Sequence, residues 1–228
     1  MSLLKDFFYL FYPNICAHCS DQLLQNEKVI CTFCRHDLPL TNFNSYTKNK
    51  VAAIFFGRVT IEKAYSLLFF RKESITKNII HDLKYKGNEA VGVFFGNWLG
   101  ETLAKNKEFS NVDFILPVPI HSKKKKIRGY NQVTKFGECL SRHLKIPFIE
   151  TILIRQSATE TQTLKARFER FNDLKTKFLL TDTALFKGKH VLIIDDVITT
   201  GATLEACALE LLKTTDIKIS VLTMAYTE

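Results

Sequence analysis

Residues 191–203 read VLIIDDVITTGAT, and no other stretch constrains the fold as tightly. Four consecutive apolar residues, Val191 to Ile194, suit a strand buried on both faces. Asp195 and Asp196 follow where such a strand is expected to end. A short turn, Thr199-Thr200-Gly201-Ala202-Thr203, leads into the helically periodic run LEACALELLK. In an open α/β sheet, ligands bind outside the carboxyl ends of the strands. A turn that opens a helix offers unpaired N–H groups and a partial positive charge, which suits a phosphate. The segment therefore asks for a ligand with a phosphate at the turn and hydroxyls or a metal at the carboxylates, and a sugar phosphate meets both demands. The plainer reading is a buried strand, an acidic turn and a capped helix. The strand–turn–helix context decides between the two.

The remaining elements fit an α/β class. AYSLLFF (64–70) reads as a strand, and ITKNIIHDLKYKG (75–87) as a helix with Gly87 at its C-cap. A second helical pattern covers 89–106. VDFILPVP (112–119) reads as a buried strand halted by its prolines, and GYNQVTKFGECLSRHL (129–144) as a helix. Short strands are expected near 147–155 and 176–181, then strand 190–195, helix 202–213 and strand 217–226. This alternation argues for a mostly parallel sheet with helices on both faces. A chain of 228 residues has room for one such domain and a small appendage, here expected as 1–45 and 46–228 with a polar linker at 41–50.

The appendage is marked by Cys16-x2-Cys19-x11-Cys31-x2-Cys34. Paired CxxC knuckles suit a tetrahedral Zn²⁺ held by four thiolates, on a hairpin that needs the metal to fold. Two disulfides are the alternative, which a reducing compartment disfavours. His18 and His36 flank knuckle cysteines and are expected to be bystanders. Cys139 and Cys207 fall in helical patterns and read as small core residues.

Net charge is +9, and residues 119–190 carry 16 Lys/Arg against 6 Asp/Glu. All the excess therefore lies in one third of the chain, which suits a polyanion or a solvated basic face. LPVPIHSKKKKIRGYNQ (116–132) follows a predicted strand, so it too lies on the ligand edge of the sheet. Pro119, Ile120, His121 and Arg128 are candidates for the pyrophosphate side. Lys123, Lys124, Lys125, Lys126, Arg128 and Tyr130 are candidates for contact with nucleic acid, although a solvated loop also accounts for any single lysine. The long polar stretch 155–172 reads as a closing loop, with Arg155, Gln162, Arg167 and Asn172 over the leaving group. Phe168 and Phe171 are further stacking candidates, with a core position the alternative.

No apolar run reaches about 18 residues, so no membrane-spanning helix is expected. The start MSLLKDFFYLFYPNIC lacks a basic n-region and a small-residue cleavage site, so it does not read as a signal peptide. An amphipathic helix packed on the body is expected there, with a membrane-surface role as the alternative, and the compartment expected is the cytoplasm.

The stretch 191–203 resembles the 13-residue 5-phosphoribosyl-1-diphosphate (PRPP) motif of the type I phosphoribosyltransferases. The resemblance implies that Asp195 and Asp196 grip the ribose hydroxyls. It implies that Val197, Thr199, Thr200, Gly201, Ala202 and Thr203 surround the 5′-phosphate. The order CxxC…CxxC, HDLKYKG, PVPIH, RGYNQ, R-x6-Q-x4-R-x4-N and IDDVITTGAT narrows the likeness to the ComF/ComFC (GntX-like) competence family. That likeness implies a zinc ribbon beside a phosphoribosyltransferase-like domain, PRPP binding with Mg²⁺, and handling of single-stranded DNA during uptake alongside other uptake proteins. An active enzyme of this kind would use Asp195, Asp196, Arg155 and Arg167 to transfer ribose 5-phosphate to a nitrogen acceptor. A nucleic-acid-binding module on the same fold is the competing reading.

Overall fold

The computed structural model describes residues 11, 13–156 and 178–228. Among them, β1 (Lys63–Phe70), β2 (Phe114–Pro117), β5 (His190–Ile198) and β6 (Lys218–Thr227) form a parallel sheet in the order β1-β6-β5-β2. A separate antiparallel pair joins β3 (Leu153–Arg155) to β4 (Phe178–Leu180). The helices are α1 (Thr32–His36), α2 (Lys50–Ala53), α3 (Ile75–Tyr85), α4 (Ala90–Asn106), α5 (Ser122–Arg128), α6 (Thr134–Leu144) and α7 (Ala202–Leu211). Strands buried on both faces read as continuous apolar runs, and Val191 to Ile194 on β5 are fully buried. Two buried clusters follow, one on each side of the sheet.

Both sheet edges are covered, which removes unpaired backbone from solvent. On the β1 edge, Thr41 N donates to Leu67 O and Phe69 N donates to Pro39 O. On the β2 edge, Ile115 N donates to Pro147 O and Ile149 N donates to Ile115 O. The segment 41–50 is therefore no free linker. Thr41 is buried, and the Asn49 amide donates to Ser45 O and Ala64 O while its oxygen caps α2.

Helices α4 and α6 cross at close range because α4 offers a glycine every fourth residue. A Cβ on Gly96 would lie 2.7 Å from Cys139 Cβ and 2.8 Å from Phe136 O. One on Gly100 would lie 2.7 Å from the His143 ring. Gly137 repeats the device toward the sheet, where a Cβ would lie 2.8 Å from Ile194 Cδ1. The close packing holds α4 and α6 against the strand that carries the acid pair.

Three expectations are corrected here. The lysine run is not a loop: residues 122–128 form α5, whose N-cap is the His121 ring accepting from Lys123 N at 3.2 Å. Strand β5 does not end at 195, because β6 continues to pair with it as far as Ile198↔Tyr226. The cysteine segment is not a regular hairpin: it holds one bridge, Ile15↔Gln22, and the helix α1. The expected N-terminal helix falls almost wholly on residues 1–10 and 12, outside the described residues.

The α4–α6 contact yields a direct test. A Gly96→Val side chain meets the backbone oxygen of Phe136, which cannot move without shifting α6. Overpacking of this kind costs about 1–3 kcal/mol, and at this chain length each kcal/mol moves the melting midpoint by about 2–4 °C. Thermal unfolding of Gly96→Val is expected to fall accordingly, and an unchanged midpoint would contradict the close crossing.

Candidate active site

The acid pair sits where one neighbouring strand has stopped and the other has not. The last β2 pairing is Pro117↔Ile194, and Val118 N donates to Ile194 O. Pro119 has no N–H and ends the ladder on that side. On the other side β6 continues, with Asp195 opposite Thr223. Asp195 and Asp196 thus stand on a braced strand beside an opening, with residues 119–121 next to them.

Successive strand side chains point to opposite faces, so the two acids serve different surroundings. Asp195 joins Val197 and the turn Thr199, Thr200, Gly201, Ala202 and Thr203 in lining a cavity of about 40 Å³. Its oxygen accepts from Asp196 N at 2.8 Å. Desolvation first, and then the charge of Asp196, push the Asp195 carboxyl up to about 8 against the pull of the Lys84 and Arg155 charges. Asp196 is 3% exposed and pairs with Lys84 Nζ at 2.8 Å through Oδ1. Its Oδ2 is buried and has no hydrogen-bond partner among the described residues.

The turn is held in a defined shape. Gly201 has φ +75°, a left-handed conformation that favours glycine, and a Cβ there would lie 2.6 Å from Ile54 Cγ2. Thr200 O accepts from Arg58 Nη1 at 2.7 Å, and Arg58 also pairs with Glu205 in the first turn of α7. These contacts fix the carbonyl side. Among the described residues, the amides of Thr199, Thr200, Gly201 and Thr203 meet no protein acceptor, and Ala202 N reaches only Thr200 Oγ1 at 3.5 Å.

The other candidates divide. Pro119, Ile120 and His121 are half-buried beside the acid pair, and His121 spends its ring nitrogen on capping α5. Arg155 lies on β3, close enough for its charge to act on Asp195, with its guanidinium 5.8 Å from the Phe178 ring centroid. Lys123, Lys124, Lys125 and Lys126 project from α5 into solvent. Arg128 is half-buried, hydrogen-bonded to Gln132 and 5.6 Å from the Tyr85 ring. The Tyr130 hydroxyl donates to Leu83 O, and its ring is partly buried against the core. Gln162, Arg167, Phe168, Phe171 and Asn172 lie outside the described residues. Lys84 and Arg58 were not anticipated. Lys84 stands in the LKYKG run that the sequence reading quoted, whereas nothing local marks Arg58.

The four N-terminal sulfurs lie within 4.8 Å of one another, a set positioned to bind a metal ion. Cys19 and Cys31 sulfurs are 3.7 Å apart, far beyond a disulfide bond of about 2.05 Å. Burial raises the Cys16 thiol, but the N–H groups of Cys31, His18 and Cys19 outweigh it and bring it down to about 7. His18 instead bonds Asn78 on α3 at 3.0 Å, and His36 pairs with Asp37 at the surface. Arg35, beside Cys34, lies over the rings of Trp98 at 5.0 Å and Phe94 at 5.7 Å on α4. The cysteine segment therefore shares its buried cluster with α3 and α4.

Comparison with known proteins agrees with this geometry. Residues 135–226 match the family described as phosphoribosyl transferase domain. Competence protein F of Haemophilus influenzae is 34% identical over 119 residues, covering 47% of this chain and 52% of that protein. Competence protein ComFC of Bacillus subtilis is 30% identical over 133 residues, covering 58% and 51%. The chain is thus similar to competence proteins of the ComF kind and carries a segment that matches a phosphoribosyl transferase domain. DNA utilization protein YhgH of Escherichia coli O157:H7 is 32% identical over 139 residues, covering 59% and 60%. The chain spans about half to three-fifths of the length of these curated relatives. Among solved structures, the glutamine phosphoribosylpyrophosphate amidotransferase from B. subtilis is similar at a TM-score of 0.41 and 17% identity, covering 62% of this chain and 30% of that one. Among the described residues, no helix is long and apolar enough to cross a membrane.

The raised Asp195 carboxyl makes a signed prediction. Its ordinary value is 3.8 and the folded value is about 8, so between these the folded state binds more protons than the unfolded. Stability due to this group is therefore present at low pH and is lost as pH rises through that window. Asp195→Asn removes the loss. Its melting midpoint is expected to exceed the wild-type value by several degrees at pH 8 and to converge with it near pH 4. A difference independent of pH would contradict the placement.

Proposed function

We propose that this protein is a member of the ComF family, binds PRPP with Mg²⁺ at the acid pair and turn, and handles single-stranded DNA during DNA uptake in the cytoplasm with other uptake proteins. One observation carries the sugar-phosphate reading: the buried, unpartnered Oδ2 of Asp196 beside a turn whose amides are unspent. An unsatisfied buried carboxylate oxygen costs about 1–3 kcal/mol or more, and a ribose hydroxyl donating to it removes that cost. The turn amides and the start of α7 suit the 5′-phosphate. Residues 119–121, which follow the end of β2, would take the pyrophosphate side. Mg²⁺, a hard cation that prefers oxygen ligands, would neutralise the pyrophosphate charge with the acid pair close by. The relatives' names, competence protein and DNA utilization protein, support the uptake role, and the excess of basic residues in 119–190 supports contact with DNA.

The second reading is transfer of ribose 5-phosphate to a nitrogen acceptor. It is favoured by Asp196, whose fixed negative charge opposes the positive charge that develops on a ribose ring as pyrophosphate leaves. Arg155 and Arg167 would then face the leaving group.

We also propose Zn²⁺ as the metal of the four cysteines, in a ribbon within residues 1–45 that stands beside the phosphoribosyltransferase-like unit of 46–228. Four thiolates about 2.3 Å from a tetrahedral Zn²⁺ lie about 3.8 Å from one another, close to the 3.7 Å between Cys19 and Cys31.

Two experiments test these assignments. Calorimetry and thermal shift with PRPP and Mg²⁺ are expected to show binding by the wild type and its loss in Asp196→Asn, with Asp195→Asn as a second variant should the first fail to fold. No PRPP response from the wild type would overturn the site. Pyrophosphate release, screened against bases and amines with and without single-stranded DNA, separates enzyme from binder. For the ribbon, elemental analysis is expected to return one zinc per chain. Chelation is expected to change the emission of Trp98, the chain's single tryptophan, as Arg35 leaves its face. A metal-free protein with unchanged emission and melting would overturn the zinc assignment.

A further inference from the structure

We propose that the groove between the end of α3 and α5 is a stacking subsite for one base of single-stranded DNA, with Tyr85 as its platform. This rests on the DNA component of the function proposed above and locates it. Lys84, Tyr85, Gly87, Lys124, Ile127 and Arg128 line an open cavity of about 230 Å³. Pockets for drug-sized ligands measure about 300–1,000 Å³, so this one suits a single ring system with its attached chain running out into solvent.

Its walls have the composition that single-strand binding needs. Tyr85 is 69% exposed and Ile127 88% exposed, so each helix contributes one large apolar side chain that the fold leaves in water. Tyr85 is nonetheless not loose. The His81 ring lies 4.9 Å from it, centroid to centroid, and the Arg128 guanidinium lies 5.6 Å from its centroid. A held, outward-facing ring beside a guanidinium is the arrangement on which a base stacks, since every base has a π-face. Lys84, Lys124 and Arg128 supply the charge for the connecting phosphates, and among the described residues no carboxylate lines the groove. An apolar peptide would leave those three cations unused, whereas a free phosphate would leave the ring and Ile127 unused. A base on a phosphodiester chain uses all of them.

The location adds a consequence. Lys84 lines the groove and also holds Asp196 at 2.8 Å, so the stacking subsite opens beside the acid pair. Strand binding and sugar-phosphate binding then meet at one lysine. Tyr130, one of the aromatics named from the sequence, is partly buried against the core and bonded to Leu83 O, so Tyr85 offers the more exposed ring.

The test is fluorescence anisotropy of the full-length protein with labelled oligothymidylate at fixed low salt. Loss of a base–aromatic stack lowers affinity roughly five- to a hundredfold, and Tyr85→Ala is expected to do so. Tyr85→Phe is expected to retain wild-type affinity, because the ring face and not the hydroxyl makes the contact. Both side chains are exposed, so melting midpoints are expected to match the wild type and to exclude misfolding as the cause. Photocrosslinking with 5-iododeoxyuridine in the oligonucleotide is expected to map to Tyr85. Wild-type affinity in Tyr85→Ala, or a crosslink mapping away from α3 and α5, would overturn the groove while leaving DNA binding intact. No oligonucleotide binding by the wild type would overturn the DNA component itself, and the PRPP response measured separately tells that failure from loss of the sugar-phosphate site.

Discussion

A carboxylate with 3% of its surface in water must be compensated, and in this protein Lys84 Nζ compensates Asp196 from 2.8 Å. Removing one partner of a buried pair leaves the other uncompensated, a loss of about 3–5 kcal/mol. The pair therefore fixes the end of α3 against the carboxyl end of β5. It neutralises only one oxygen of Asp196, and the second stays buried and unpartnered. Burial, pairing and an open valence on one side chain are a poor way to stabilise a fold. They are a good way to hold a charge ready for a ligand, whereas the Asp195 carboxyl beside it is pushed up and keeps its proton more readily.

The cysteine segment bears on this site through the helices it packs on. His18 reaches Asn78 on α3, and Arg35 covers Phe94 and Trp98 on α4. Helix α4 is in turn locked to α6 by its glycines, and Gly137 of α6 presses on Ile194 of β5. A short segment with little core of its own thus lies at one end of a continuous run of close contacts that reaches the strand carrying the acids. A metal that orders the knuckles would also brace α3, on which both Lys84 and Tyr85 stand.

Much of this was legible from sequence, for identifiable reasons. Val191 to Ile194 announced a doubly buried strand because only such a strand tolerates four apolar residues in a row. The two knuckles announced a metal set because ligand spacing is local. What was not legible depended on partners distant in sequence. The continuation of β5 past Asp195 is set by β6, and the end of β2 by Pro119. The segment 41–50 looked like linker because its polarity is real, yet Asn49 spends that polarity on two carbonyls and a helix cap. The lysine run looked like a loop because its charge hid a helix that His121 caps. Arg58 lies 142 positions before the carbonyl it holds, so nothing in its neighbourhood could mark it.

The alternation of strand side chains explains how two adjacent acids can do different work. Asp195 faces the turn and its small cavity, the place proposed for the phosphate. Asp196 faces Lys84, and past Lys84 lies the groove with Tyr85 and Ile127. A ligand that engages the free oxygen of Asp196 changes what Lys84 must neutralise. A phosphate in the groove draws on the same ammonium from the other side. If both proposed sites are real, Lys84 couples them by charge without any backbone movement.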